Sequence, residues 1–158
     1  MASGEATTAS KALPGSVLFT CNLNAVRSPM AEALMKTLFG KRIYVDSAGL
    51  EPSARDPFAI SVMSEIGIDM SGDHPLDLEA IDIGSFDLVI CLTPETCARV
   101  KDLTRGQAVD IEFWPTLDPF AAGERGSREQ RLEAYRRLRD DLRDMLQRRF
   151  GACEKVVG

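Results

Sequence analysis

"VLFTCNLNAVRSPMAEAL" (residues 17–34) is the stretch that decides the fold of this chain. Apolar and β-branched residues at 17–20 predict a short strand, and Cys21 follows it directly. A helical pattern covers residues 29–39, with Ser28 as its expected N-cap and Pro29 at its first position. The stretch therefore predicts a strand, a loop from Cys21 to Arg27, and a helix that begins where the loop ends.

The rest of the chain repeats this alternation of strand and helix. Further strands are predicted at residues 42–47, 86–92 and 108–113. Further helices are predicted at residues 55–67, 93–103 and 127–150, with Asp56, Thr93 and Ser127 as their expected N-caps. The continuous apolar run FDLVICL at 86–92 is typical of a strand that is buried in a parallel sheet. Such alternation requires right-handed crossovers, so we expect an α/β fold, a doubly wound sheet of four parallel strands with helices on both faces.

Composition and charge limit the classes of function. The 158 residues, 44% of them hydrophobic, suit one domain; we predict a disordered leader at residues 1–15 and a single domain at 16–158. The net charge of −5 argues against binding to nucleic acid or to an anionic membrane. The four cysteines (Cys21, Cys91, Cys97 and Cys153) lack a disulfide-framework spacing and no export signal precedes them, so we expect reduced thiols in the cytoplasm.

The loop between the first strand and the first helix has the composition of an oxyanion site. Successive backbone N–H groups before a helix N-terminus, together with the helix dipole, attract a phosphate group. Arg27 can donate two hydrogen bonds to phosphoryl oxygens. The same field favours the thiolate form of Cys21, beside which Ser28 can place a hydroxyl. Cys21 is the only one of the four cysteines with an arginine six residues later, although a structural cysteine followed by a surface arginine remains the alternative.

A second functional group is expected on the loop WPTLDPF, at residues 114–120. In a doubly wound sheet, this loop lies at the same carboxyl edge as Cys21. Transfer of a phosphoryl group requires an acid that protonates the leaving oxygen, and Asp118 can supply it. The alternative is an ordinary Asp-Pro turn, such as the one predicted at Asp56 and Pro57.

These stretches, with VDSAG (45–49), GID (67–69) and FDLVI (86–90), resemble the low-molecular-weight protein tyrosine phosphatases, whose fold is shared by thioredoxin-coupled arsenate reductases. The resemblance covers about residues 16–150. It implies a flavodoxin-like sheet and hydrolysis of a phosphomonoester through a phosphocysteine intermediate on Cys21. Arg27 would bind phosphate, and Asp118 would act as the general acid and then as the base.

The resemblance also implies supporting roles around the nucleophile. The phosphate-binding residues would be Asn22, Leu23, Asn24, Ala25, Val26, Arg27 and Ser28. Asn24, Ser28 and Ser47 would support the loop, and Phe120 would form a wall for the substrate. No metal or other cofactor is required. The expected partner is a phosphotyrosine-containing protein or a small aryl phosphate, with inorganic phosphate or another oxyanion bound in the loop.

Several positions depart from the family pattern. Val26 stands where the family often has a second cysteine that protects the nucleophile, and Leu23 replaces the usual loop glycine. The loop after VDSAG lacks the aromatic residue that commonly forms the other wall of a phosphotyrosine slot. A family histidine that braces the loop lies close to His74, which is otherwise a surface residue of its turn. Phosphatase chemistry is therefore better supported by the sequence than specificity for phosphotyrosine.

Two other functions remain open. An arsenate reductase of the same fold would pass a disulfide from Cys21 to Cys91 and Cys97, although CLTPETC (91–97) does not match the reductase pattern. Alternatively, Leu23 and Val26 narrow the loop into a catalytically weak phosphate-binding module.

Overall fold

Strands and helices alternate along the computed structural model, which describes residues 13–72, 74–116, 118–119 and 126–151. The strands are β1 (Ser16–Cys21), β2 (Tyr44–Gly49), β3 (Leu88–Cys91) and β4 (Asp110–Phe113). The helices are α1 (Arg27–Phe39), α2 (Pro57–Ser64), α3 (Pro94–Leu103) and α4 (Arg128–Phe150). Short 3₁₀ turns occupy Gly40–Arg42, Leu78–Ala80 and Ile83–Ser85.

The four strands form one parallel sheet in the order β2-β1-β3-β4. Thr20 of β1 lies opposite Ala48 of β2 and Cys91 of β3. The chain leaves β1 toward one edge of the sheet and later returns to β3 on the other side. A crevice therefore opens beyond the carboxyl ends of β1 and β3, where doubly wound folds bind ligands. The predicted flavodoxin-like sheet of four parallel strands is confirmed.

Each strand separates two apolar layers because successive side chains point to opposite faces. Along β1, Phe19 and Cys21 face the layer packed by α1, α2 and α4, which we call the nucleophile layer. Leu18 and Cys91 face the layer packed by α3 and by the 3₁₀ turns at Leu78–Ala80 and Ile83–Ser85, which we call the opposite layer. The prediction of helices on both faces is therefore confirmed.

Three predicted helix caps are present, but the cap of α1 is wrong. The side chains of Asp56 and Thr93 accept backbone N–H groups at the starts of α2 and α3, and Ser127 forms a capping box in α4. Helix α1 begins earlier, at Arg27, with Val26 as an N-cap that forms no side-chain bond. Ser28 lies inside this helix because its hydroxyl is bonded to Cys21 and Asn24 instead.

Other boundaries differ by a few residues from the prediction. Strand β2 begins at Tyr44 rather than at residue 42, because the chain after Phe39 first makes a 3₁₀ turn. Helix α2 ends at Ser64, three residues before Gly67. Most of the predicted leader (1–15) lies outside the described residues. None of the described helices is both long and apolar enough to cross a membrane.

Candidate active site

A cleft of about 280 Å³ lies beyond the carboxyl end of β1. It is lined by Cys21, Asn22, Leu23, Val26, Arg27, Glu51, Asp118 and Pro119. Residues 21–27, which we call the cradle loop, form its floor. The structure therefore brings together the three residues that the sequence predicted for catalysis: Cys21, Arg27 and Asp118.

The thiol of Cys21 lies at the bottom of the cleft among hydrogen-bond donors. Its Sγ is 2.9 Å from Ser28 Oγ, and the backbone N–H of Ser28 donates to it at 3.4 Å. Ser28 Oγ also accepts a hydrogen bond from Asn24 Nδ2 at 2.8 Å. The hydroxyl proton of Ser28 is then free to point at the sulfur, so the sulfur faces a hydroxyl donor and a backbone N–H donor.

A chain of hydrogen bonds connects this hydroxyl to a buried carboxylate of α1. Asn24 Nδ2 also donates to Ser47 Oγ at 2.9 Å, and Ser47 Oγ donates to Glu32 Oε1 at 2.6 Å. An ionised carboxylate only accepts hydrogen bonds, so Glu32 fixes the direction of the Ser47 hydroxyl. Ser47 must then accept from Asn24. The supporting network expected of Asn24, Ser28 and Ser47 is thus present, and Glu32 extends it.

Asn24 has the backbone conformation that the cradle loop needs. Its φ of 52° lies in the left-handed region, which asparagine tolerates better than most residues. Its Oδ1 accepts the N–H of Leu76 at 2.9 Å, so the side chain ties three segments together. Gly49 packs directly below; an added Cβ there would lie 2.7 Å from the Asn24 nitrogen. This close approach explains the glycine of VDSAG.

The segment after β2 orients the peptides of the cradle loop. Its N–H groups donate to loop carbonyls in four pairs: Leu50 to Cys21 at 3.3 Å, Glu51 to Asn22 at 2.8 Å, Ser53 to Leu23 at 2.9 Å, and Asp56 to Ala25 at 3.2 Å. In a trans peptide the N–H points opposite to the C=O. The pairing therefore turns the N–H groups of these peptides away from the segment, as an anion-binding nest requires.

Arg55, in the same segment, contacts the cradle loop with its side chain. Its guanidinium donates to the backbone oxygen of Asn24 and, at 3.3 Å, to Asn24 Oδ1. It also donates to the backbone oxygen of His74 at 3.3 Å. The resemblance to the family makes His74 a candidate brace for the loop, but the side chain that contacts Asn24 is that of Arg55. The contribution of His74 here is its backbone carbonyl.

The loop that bears Asp118 is held against the other residues of the site. Arg27 donates to the backbone oxygen of Thr116 at 3.4 Å, and Thr116 Oγ1 donates to the carbonyl of Leu92 at 3.2 Å. Asp118 is exposed to the cleft, whereas the neighbouring Pro119 is buried. Phe120, the predicted substrate wall, lies outside the described residues.

Tyr135 of α4 connects the last helix to the site, which the sequence did not indicate. Its phenol donates to Asp56 Oδ2 at 2.8 Å, and the Asp56 backbone in turn holds Ala25 of the cradle loop. Burial, followed by the hydrogen bond to Asp56, raises the pKa of the Tyr135 phenol above its ordinary value. The negative charge of Asp118 acts in the same direction. Tyr135 therefore remains a neutral donor at physiological pH.

Cys91 and Cys97 lie on the other side of the sheet from the nucleophile. Cys91 is fully buried in the opposite layer, and Cys97 of α3 packs against that layer, whereas Cys21 belongs to the nucleophile layer. Burial raises the pKa of the Cys91 thiol to about 12, and the neighbouring Cys97 adds to the increase. Cys91 is therefore protonated at neutral pH and is a poor nucleophile.

Comparison with curated proteins finds arsenate reductases. The chain is 34% identical to the glutaredoxin arsenate reductase of Synechocystis sp. over 133 residues, which cover 83% of this chain and 92% of the relative. It is 32% identical to the arsenate reductase of Bacillus subtilis over 130 residues, which cover 82% of this chain and 91% of that protein.

Solved structures with the same fold include both phosphatases and reductases. A mutant of YwlE from Bacillus subtilis superposes with a TM-score of 0.71 at 26% identity, covering 85% of this chain and 95% of YwlE. An arsenate reductase in its phosphate-binding state superposes with a TM-score of 0.69 at 32% identity, covering 85% of this chain and 95% of that reductase. The family model for low molecular weight phosphotyrosine protein phosphatases matches residues 16–148. Since this match spans most of the 158 residues, the chain belongs to the low molecular weight phosphotyrosine protein phosphatase family.

Proposed function

We propose that the chain is an enzyme that uses Cys21 to attack a tetrahedral oxyanion of the phosphate and arsenate class. The observation that supports this most directly is the cleft in which Cys21, Arg27 and Asp118 meet. Of the two reactions open to such a site, hydrolysis of a phosphomonoester is the one that the described residues complete without another thiol. We therefore propose phosphomonoester hydrolysis, with aryl phosphates including phosphotyrosine as substrates.

The first step of this reaction is transfer of the phosphoryl group to sulfur. The Cys21 thiolate attacks phosphorus in line with the leaving oxygen, while Arg27 and the loop N–H groups hold the other phosphoryl oxygens. The P–O bond breaks as the P–S bond forms, and Asp118 gives its proton to the departing oxygen. The Ser28 hydroxyl, 2.9 Å from the sulfur, stabilises the thiolate before the attack.

The second step releases phosphate from the phosphocysteine. Asp118, now ionised, accepts a proton from a water molecule, whose oxygen attacks phosphorus. The P–S bond breaks, and Cys21 leaves as a thiolate that Ser28 again stabilises. Atoms and charge balance without an external reductant. This chemistry needs a reduced Cys21, which agrees with the cytoplasmic location that the sequence predicted.

Arsenate reduction is the second candidate, and the names of the curated relatives support it better than they support a phosphatase. In that reaction the Cys21 thiolate displaces an oxygen of arsenate, which leaves as water, so that an As–S bond replaces an As–O bond. A second thiol then attacks the Cys21 sulfur, and the As–S bond breaks. A disulfide forms, and arsenite leaves with the two electrons. Cys91 lies in the opposite layer, where its thiol is protonated and fully buried. It therefore cannot serve as this second thiol unless the structure rearranges. An external thiol could take its place.

Two assays run in parallel distinguish phosphomonoester hydrolysis from arsenate reduction. We expect wild-type protein to hydrolyse para-nitrophenyl phosphate near pH 6 under reducing conditions, and Cys21→Ser to lose this turnover. Arsenate reduction is measured in parallel with thioredoxin or glutaredoxin as the electron donor. Reduction of arsenate without ester hydrolysis would overturn the phosphatase proposal in favour of the reductase. If neither occurs but phosphate binds equally to wild type and Cys21→Ser, the cleft is a binding module.

A further inference from the structure

The cleft contains a second carboxylate that the proposed mechanism does not use. Glu51 lines it together with Asp118. The Glu51 backbone N–H donates to the Asn22 carbonyl at 2.8 Å, so its Cα is held against the cradle loop. Its side chain is exposed and forms no ion pair with another residue in the described part of the chain. A fixed position and an uncompensated charge make Glu51 a candidate for substrate selection.

Substrate binding determines which charged side chains of the cleft remain without a partner of opposite charge. The positive charge of Arg27 is then engaged with the phosphoryl oxygens, and Asp118 holds the proton that it gives to the leaving group. Glu51 remains as the negative charge next to the entering molecule. A positively charged leaving group is attracted by this carboxylate, and a negatively charged one is repelled.

The other walls of the cleft are apolar. Leu23 is 39% exposed at the cleft, and Val26 and Pro119 line it as well. Among the described residues that line the cleft none is aromatic, so the described walls offer aliphatic contact rather than a stacking partner for a phenol ring. A leaving group that has an apolar stem and a cationic end fits both the walls and the charge.

We propose that Glu51 selects phosphomonoesters whose leaving group carries a positive charge, such as an ammonium or guanidinium group beyond a short apolar stem. This inference rests on the proposed phosphomonoester hydrolysis. It narrows the substrate class from aryl phosphates in general to cationic ones, and it assigns that specificity to one residue outside the cradle loop.

The test is a charge series of similar size. We would measure kcat/KM for phenyl phosphates that bear a para aminomethyl, hydroxymethyl or carboxymethyl group, beside para-nitrophenyl phosphate as a reference. We expect kcat/KM to fall from the cation to the neutral ester to the anion, by about threefold to tenfold per step, as for one charge at a partly exposed site. Raising the salt concentration should shrink these ratios.

Two variants show whether Glu51 is the cause. Glu51→Gln should reduce the cation preference to within about twofold of no preference, because it keeps the size and the backbone bond but removes the charge. Asp144→Asn removes the same charge from an exposed position on α4 that does not line the cleft, and should leave the preference unchanged. A preference that survives in Glu51→Gln, or is absent in the wild type, overturns this inference alone. Failure to hydrolyse any ester, para-nitrophenyl phosphate included, overturns the proposed hydrolysis and this inference together.

Discussion

Two cysteines at the ends of neighbouring strands have very different surroundings. Cys21 ends β1 and faces a hydroxyl, a backbone N–H and the cleft. Cys91 ends β3 and is fully buried in an apolar layer, where burial raises its pKa to about 12. The surroundings differ because the Cys21 side chain points to one face of the sheet and the Cys91 side chain points to the other. Position at a strand end is therefore insufficient to make a cysteine reactive; the face it occupies decides which groups surround it.

Turnover should be sensitive to substitution of the residues around Cys21 and insensitive to substitution of Cys91 and Cys97 in the opposite layer. The largest effect below the loss of Cys21 is expected at Asp118. Asp118→Asn removes the acid that protonates the leaving oxygen, so turnover should fall by about 10² to 10⁴. The loss should be greatest for esters of alcohols with a high pKa, and it is measured with a series of such esters. Near-wild-type turnover of a poor leaving group would show that another residue is the acid.

Arg55 should have the next largest effect, as a residue that positions the cradle loop. Arg55→Met removes the donors to the Asn24 oxygens, and we expect kcat to fall by about tenfold, which corresponds to about 1.4 kcal/mol. Arg55→Lys keeps the charge but not the forked geometry, so it should recover only part of kcat. A change in KM with an unaltered kcat would mean that Arg55 acts on substrate binding rather than on loop geometry.

A substitution of Glu32 tests the far end of the hydrogen-bond chain that leads from Ser28 through Asn24 and Ser47. Glu32→Gln replaces an acceptor with a group that can also donate, so the direction of the Ser47 hydroxyl is no longer fixed. We expect the free energy of unfolding to fall by about 1–3 kcal/mol, and kcat to fall by a few fold. Urea titration and steady-state kinetics measure the two effects. The matched Glu133→Gln, on the exposed side of α4, should change neither by more than the error.

The smallest effect is expected in the opposite layer. Cys91→Ala and Cys97→Ser, singly and together, should change the hydrolysis of para-nitrophenyl phosphate by less than about twofold, since neither thiol faces the cleft. The same variants should be assayed for arsenate reduction. Retained hydrolysis with lost arsenate reduction would identify these thiols as electron carriers after all, and would require α3 to move during the reaction.

The sequence predicts the framework of this molecule well because its signals are local. Alternating strand and helix patterns gave four parallel strands, and the predicted caps of α2, α3 and α4 are present. Ser28 shows the limit of such signals. Ser28 stands one residue before a proline, as an N-cap would, but its hydroxyl is bonded to the Cys21 sulfur. The helix begins at Arg27, two residues before the predicted start at residue 29.

Residues that support the site from distant parts of the sequence are not indicated by any local sequence pattern. Glu32 lies four residues before Lys36 and looks like half of a surface ion pair, although it is buried and bonded to Ser47. Arg55 and Glu51 reach the cradle loop because β2 lies beside β1, which only the sheet order reveals. The face occupied by Cys91 likewise depends on the register between β1 and β3.

The alternation along β3 has a consequence for protein evolution and design. Leu92 follows Cys91 directly, and its side chain packs in the layer that contains Cys21. A thiol moved by one residue would therefore change sides without any alteration of the backbone. A cysteine at position 92 would therefore share the side of the sheet that holds the nucleophile, whereas the cysteine at position 91 does not.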